Sequence, residues 1–293
     1  MSDKLKIVLV AAVVVVNAVL LVILNQTMSG WRTNISDDPP APTALATTPA
    51  STTTAPEEPK VGGRPGVAVA ADGTIIQWVS GSCEKDQVPE LKASTNGGDS
   101  FDTIKLPEAS AVLAVRADSG EEFSVVTANK DCVVSTNRTS NGGQDWESAE
   151  GANLWRLAGR GEGVVISPNG EVDAGCTALS VSPISEQNAR VLCDSGEIRG
   201  TDDTGETWIS MGTYPGATAG VFPSIGEAFV VAKDTDCEAR VFRSGDGGGT
   251  WNPLGCAGDE SAKAFASNGD TFAAIVGKDV AVSTDGGATW GKD

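Results

Sequence analysis

The chain of 293 residues has no histidine and a single tyrosine, Tyr214. Without histidine there is no Ser-His-Asp triad, no Cys-His pair and no His-ligated metal. Basic residues are scarce as well: 21 Lys and Arg stand against 39 Asp and Glu, for a formal net charge of −18. That balance argues against nucleic acid as a partner, because phosphate binding needs clustered Lys and Arg. Aromatics make up only 5% of the chain, yet seven of them are tryptophan, and glycine reaches 35. Tight turns suit such a composition better than long helices.

One long apolar run is present. Residues 7–24, Ile7 to Leu24, are apolar throughout except for Asn17. At 1.5 Å per residue the run reaches roughly 27 Å, about the hydrocarbon thickness of a bilayer. Lys4 and Lys6 precede it and no basic residue follows until Arg32. The positive-inside tendency therefore keeps residues 1–6 in the cytoplasm and exports the rest. We expect a single-pass signal anchor in the cell membrane with an extracytoplasmic C-terminal domain. A cleaved signal peptide is the alternative, but no small-x-small site follows the run. Residues 25–62 then form a stalk rich in Pro, Thr and Ala, with Pro39, Pro40, Pro42, Pro49, Pro56 and Pro59. Almost nothing in it is large enough to bury, so it reads as a disordered spacer or a plain tether.

From residue 63 to 293 short apolar runs alternate with Gly, Asn and Asp clusters, and one pattern repeats five times. The copies begin at Ser94, Thr139, Thr201, Ser244 and Ser283 and share [ST]-x-[DN]-x-G-x-[STD]-[WF]. The acid or amide position is Asn96, Asn141, Asp203, Asp246 or Asp285. The glycine is Gly98, Gly143, Gly205, Gly248 or Gly287, and the closing aromatic is Phe101, Trp146, Trp208, Trp251 or Trp290. Each position has a reason. Asp or Asn accepts backbone N–H groups inside a tight turn. Glycine permits positive φ at the reversal. The hydroxyls tie the two arms together, and the aromatic leads the next strand into the core.

The pattern resembles the Asp-box, or BNR repeat, of sialidases, sortilin-type receptors and photosystem assembly factors. In those families it occupies the turn between the third and fourth strands of a β-propeller blade. The resemblance implies an all-β propeller over residues 63–293. Copies follow one another at intervals of 45, 62, 43 and 39 residues, and a four-stranded blade needs about 40 to 45. Five blades are therefore expected, with six as the alternative. The long interval carries extra residues around Trp155 to Cys176, either an insertion or the remnant of a sixth blade. For the fourth copy the strands are expected at residues 218–223, 228–233, 240–244 and 251–254. The last blade's outer strand is either stunted or completed by residues near Gly63 to Val69. The two Asn-bearing turns are expected to be looser than the three with Asp.

Outside the cytoplasm, disulfides are permitted. In the blade scheme all six cysteines fall on the face opposite the repeated turns. Cys176–Cys193 and Cys237–Cys256 are then local bridges, each worth about 3 kcal/mol, and Cys83–Cys132 is left to staple neighbouring blades. No C-x₂-C pair suggests a metal, and neither metal nor cofactor is expected.

Catalytic chemistry finds little support. Sialidases resemble one another in three carboxylate-binding arginines, a tyrosine nucleophile with a glutamate partner, and an Arg-Ile-Pro stretch. Here Arg64-Pro65 lacks the Ile and Tyr214 reads as a turn residue. The spacing of Arg116, Arg156, Arg160, Arg190, Arg199 and Arg240 identifies no triad. Glu121-Glu122 reads as a solvated turn, and Asp234, Asp236 and Glu238 as a charged loop. Where the repeat breaks, Trp155, Arg156 and Arg160 bring an aromatic and two cations together, and they are the candidate binding residues. The expected function is a non-catalytic binding or assembly module for an envelope protein or glycan, on the face opposite the turns. A sialidase-like glycoside hydrolase is the alternative.

Overall fold

Short strands, and no helix, are what this alternation of apolar runs and turn clusters produces among the described residues, which are 64–83, 87–149, 154–158 and 164–292. The apolar run at 7–24, the stalk at 25–62 and Arg160 lie outside them. Among the described residues no helix is long and apolar enough to cross a membrane.

The computed structural model has six antiparallel sheets. Blade 1 holds β1 (Gly66–Val69), β2 (Ile75–Val79), β3 (Glu90–Ser94) and β4 (Asp102–Thr103). Blade 2 holds β5 (Ala111–Ala117), β6 (Phe123–Ala128), β7 (Val134–Thr139) and β8 (Glu147–Ser148). Blade 3 has three strands among the described residues: β9 (Arg156–Leu157), β10 (Val164–Ser167) and β11 (Gly170–Asp173). Blade 4 is β12 (Ala178–Pro183), β13 (Ala189–Cys193), β14 (Glu197–Thr201) and β15 (Ile209–Thr213). Blade 5 is β16 (Ala217–Val221), β17 (Ala228–Asp234), β18 (Cys237–Ser244) and β19 (Asn252–Cys256). Blade 6 is β20 (Ala262–Ser267), β21 (Phe272–Val276), β22 (Asp279–Ser283) and β23 (Gly291–Lys292).

Each sheet is a simple meander, and the innermost strands β1, β5, β9, β12, β16 and β20 pack in sequence around a closed ring. The fold is thus a six-bladed propeller, and the expectation of five blades is corrected. The extra residues of the long interval are the additional blade. It went uncounted because it lacks the repeated turn.

Ring closure also departs from one of the two expected schemes. β23 pairs with Ala281 and Val282 of its own blade, whereas Gly66 to Val69 pair with β2. The last outer strand is simply stunted, and no strand is exchanged between the ends. Closure comes from packing of Val67 and Ile75 against Ala273, Ile275 and Val282. A hydrogen bond from Asn268 Nδ2 to the Ala70 carbonyl, at 2.8 Å, joins the same two blades.

The core is a series of slabs between blades. Second strands are therefore buried on both faces: all five residues of β13 and of β21 are buried, Arg190 being the one charged residue among them. Phe272 is fully buried and meets Phe229 of blade 5 edge to face at 4.8 Å. Burying such a ring contributes about 2–3 kcal/mol. The three disulfides are Cys83–Cys132, Cys176–Cys193 and Cys237–Cys256, the expected pairs.

The repeated turns close on themselves. In every copy the first-position hydroxyl donates to Oδ1 of the third residue, at 2.6–2.9 Å. The same hydroxyl accepts the N–H of the fifth-position glycine at 2.8–2.9 Å. Oδ1 in turn accepts the seventh residue's N–H at 2.9–3.1 Å. With Asp, the seventh-position threonine hydroxyl donates to Oδ2. With Asn the direction reverses: Asn96 Nδ2 donates to Ser100 Oγ and Asn141 Nδ2 to Asp145 Oδ2, both at 2.9 Å. The Asn-bearing turns are therefore not looser, since the same bonds are made with donor and acceptor exchanged.

The fourth position, which the sequence pattern leaves open, is left-handed in all five turns. Gly97, Gly142, Gly247 and Gly286 hold it, and in the third copy Thr204 does, at φ 64°. Its N–H reaches the first hairpin of its own blade in four copies, for example Thr204 N to Gln187 O at 3.0 Å.

Two substitutions should therefore move stability in opposite directions. Asn141→Asp sets a carboxylate against Asp145 and should lower Tm by roughly 2–4 °C, with rescue by Asp145→Thr. Thr204→Gly relieves a left-handed β-branched residue and should raise Tm by a similar amount, about 1 kcal/mol. Thermal melts of the three variants check both.

Candidate functional site

Because the blades are meanders, the 1–2 and 3–4 turns lie on one face of the ring, the turn face. The 2–3 turns and blade-to-blade links lie on the other, the connection face. All three disulfides belong to the connection face. Its inner rim has a recurrent irregularity. β-Bulges interrupt the inner strands of four blades near their connection-face ends, leaving Leu113, Leu179, Thr218 and Lys263 out of register. A bulge releases backbone groups from the ladder. The freed Leu179 carbonyl in blade 4 receives Nη1 of Arg64 at 3.5 Å. Arg64 lies two residues before the inner strand of blade 1, on the opposite side of the ring, so it reaches across the channel mouth.

Charge is segregated here. Residues 61–293 carry 17 basic and 34 acidic residues. The six inner strands nevertheless contain Arg116, Arg156 and Lys263 and no acid at all. The inner strands are thus free of acid within a strongly anionic domain, although Asp118 pairs with Arg116 just beyond β5 and Glu171 acts on Arg156 from β11.

The sequence candidates divide. Trp155 is 7% exposed, packs edge to face on Trp208 at 6.3 Å and donates Nε1 to the Glu186 carbonyl. It fills the seam between blades 3 and 4 and presents no free face. Leu157 joins the same cluster, so Arg156 between them leaves β9 on the other side. Arg156 is half-buried; burial pulls its pKa down and Glu171 opposes that. Sequence reasoning missed Arg64, Lys263 and the bulged rim. Only the excess of short inner-strand residues could have signalled them.

The other charged groups have separate duties. Arg116 faces Asp118 at 3.5 Å. Arg199 donates to the Ala174 and Trp208 carbonyls. Arg240 holds Asp234 and Asp236 at 2.8 and 2.7 Å, and Lys233 pairs with Glu238. These arginines sit on different blades and do not converge on one point. Tyr214 lies tilted against Phe242 and edge to face with Trp251, and burial, then Asp234, push its pKa up. A raised pKa is the reverse of what a phenolate nucleophile needs.

The turn carboxyls are unsuited to acid–base work. The Thr207 and Thr289 hydroxyls, chiefly, hold Asp203 and Asp285 down at about 2. Asp246 lies lower still, first through the Ser244 hydroxyl. They are structural acceptors, ionised at any ordinary pH.

No protein-family model matches the chain. No curated protein matches it. Solved structures similar to it include YCF48 bound to a D1 peptide, with 17% identity over 80% of this chain and 69% of that one and a TM-score of 0.30. A mutant Aleuria aurantia lectin in complex with Fucalpha1-6GlcNAc has 12% identity over 81% and 96%, with a TM-score of 0.49. A GH74 enzyme from Niastella koreensis has 18% identity over 78% of this chain and 37% of that one, with a TM-score of 0.30. Likenesses this distant lend no role to any residue.

Acid should expose the turn carboxyls. Their pKa values are depressed in the folded state, so their stabilisation is complete above about pH 4 and is lost as pH falls towards 2. Tm should drop across that window. In the combined variant Asp203→Asn, Asp246→Asn and Asp285→Asn the drop should be smaller, and a flat wild-type profile would contradict the assignment.

Proposed function

We propose that the chain is a non-catalytic binding or assembly module, and that its ligand face is the connection face around the channel mouth. In this reading residues 7–24 anchor it in the cell membrane. The stalk at 25–62 carries the propeller outside the cytoplasm, and the five turns are Asp-boxes whose role is structural. The partner is an envelope protein or a glycan. One observation carries the proposal: acid-free, cationic inner strands, with Arg64 set across their mouth, in a domain whose acids outnumber its bases two to one. The contrast between faces supports it. One face is built from a stereotyped turn whose polar groups satisfy one another. The other carries variable links, all three disulfides and the bulged rim. The glycoside hydrolase reading has less behind it, with Tyr214 packed between aromatic rings and the arginines dispersed.

Affinity capture from envelope extracts with residues 63–293 tests the proposal. A protein or glycan should be retained, and Arg64→Ala with Lys263→Ala should weaken retention about tenfold or more, roughly 1.4 kcal/mol. Fluorogenic glycosides should not be turned over. Absence of any retained partner, or robust turnover, would contradict it.

A further inference from the structure

Arg190 stands apart from every other described arginine. It lies on β13, paired with Ser182 on one side and Gly200 on the other. Leu192, two residues along and on the same face, packs against Ala217, Val230 and Phe242 of blade 5. The Arg190 side chain therefore enters the seam between blades 4 and 5. Only 8% of the residue is exposed. The seven other described arginines each have a hydrogen-bond or ion-pair partner. Arg190 has neither among the described residues, and Asp202 acts on it only from beyond ion-pair distance.

Its N–H groups are not among the fully buried polar atoms that lack a partner, so each keeps a small opening to solvent. Most of the residue is covered, yet its N–H groups remain in reach of solvent. The site is also shaped around the fork. A Cβ on Gly200 would fall 1.9 Å from Nη1 and 3.0 Å from Cζ, so the missing side chain at Gly200 is the floor on which the guanidinium rests. Burial disfavours the charged form and lowers its pKa. An arginine so placed stabilises nothing by pairing, and an apolar side chain of similar volume would suit the seam better. An unpaired, largely covered fork whose N–H groups still meet solvent is a donor arrangement that takes two oxygens of a planar or tetrahedral anion.

We propose that Arg190 forms the floor of a socket for an oxyanion, a carboxylate or a phosphate or sulfate group, in the seam between blades 4 and 5. The socket lies beside the Thr201 turn, towards the turn face, and is independent of the connection-face reading.

Thermal unfolding of the full chain in detergent, followed by tryptophan fluorescence, tests it. Sodium glucuronate, phosphate and sulfate are each titrated against chloride at equal ionic strength. At least one should raise the wild-type Tm saturably, by roughly 5–10 °C at a hundredfold excess over its Kd. The active salt identifies carboxylate or inorganic-type chemistry. Arg190→Met should lose the saturable rise while melting in chloride at or above the wild-type temperature. Gly200→Ala, which displaces the fork but keeps the charge, should lose the rise as well. Should the Met variant fail to fold, Arg190→Lys takes its place and should weaken the rise at least about tenfold in Kd. No saturable shift in wild type up to about 50 mM, or equal shifts in wild type and the Arg190 variant, would overturn the proposal.

Discussion

One hydroxyl group in each repeated turn holds the third and fourth strands of a blade together. It donates to the side-chain oxygen two residues on and accepts the glycine N–H four residues on. Both partners are local, so the turn closes on its own atoms and takes none from a neighbouring blade. It also positions the closing aromatic. Trp251 and Trp290 donate Nε1 to the fifth-position glycine carbonyl of their own turns, at 3.1 Å. Their rings then reach the slabs between blades, where Trp290 lies beside Phe265 and Phe272. Local closure and interblade packing are thus one device seen at two scales.

This explains which features were legible in the sequence. Turn positions, blade strands around the fourth copy and all three disulfides follow from short-range pattern and from which face a turn occupies. The fourth-copy strands run 217–221, 228–234, 237–244 and 252–256, within a few residues of expectation. Blade 3 was harder because it has no such turn, and its short strands resemble an insertion. Left-handed backbone at the fourth turn position was hidden by Thr204, which stands where the other copies have glycine. The burial of Trp155 depends on Trp208, more than fifty residues away, and periodicity cannot reveal such a contact. Nor could the bulged rim be read, because bulges are set by how neighbouring blades meet.

The two faces have different physical characters. The polar groups of the repeated turns satisfy one another, and Asp203, Asp246 and Asp285 stay ionised without titrating near neutrality. On the connection face, irregular links are braced by disulfides around the bulged rim, where Arg64 meets the Leu179 carbonyl. A ring whose repeated turns are closed on themselves leaves the irregular links and the interblade seams as the surfaces on which recognition can be built.

Native-state hydrogen exchange at five glycine amides, Gly98, Gly143, Gly205, Gly248 and Gly287, measures the central contact most directly. Each amide is bonded to a first-position hydroxyl and is buried in the turn. Protection close to that of the buried second strands is expected, so that all five open only with the blade. Exchange at surface-loop rates in these glycines, with the strands still protected, would contradict it.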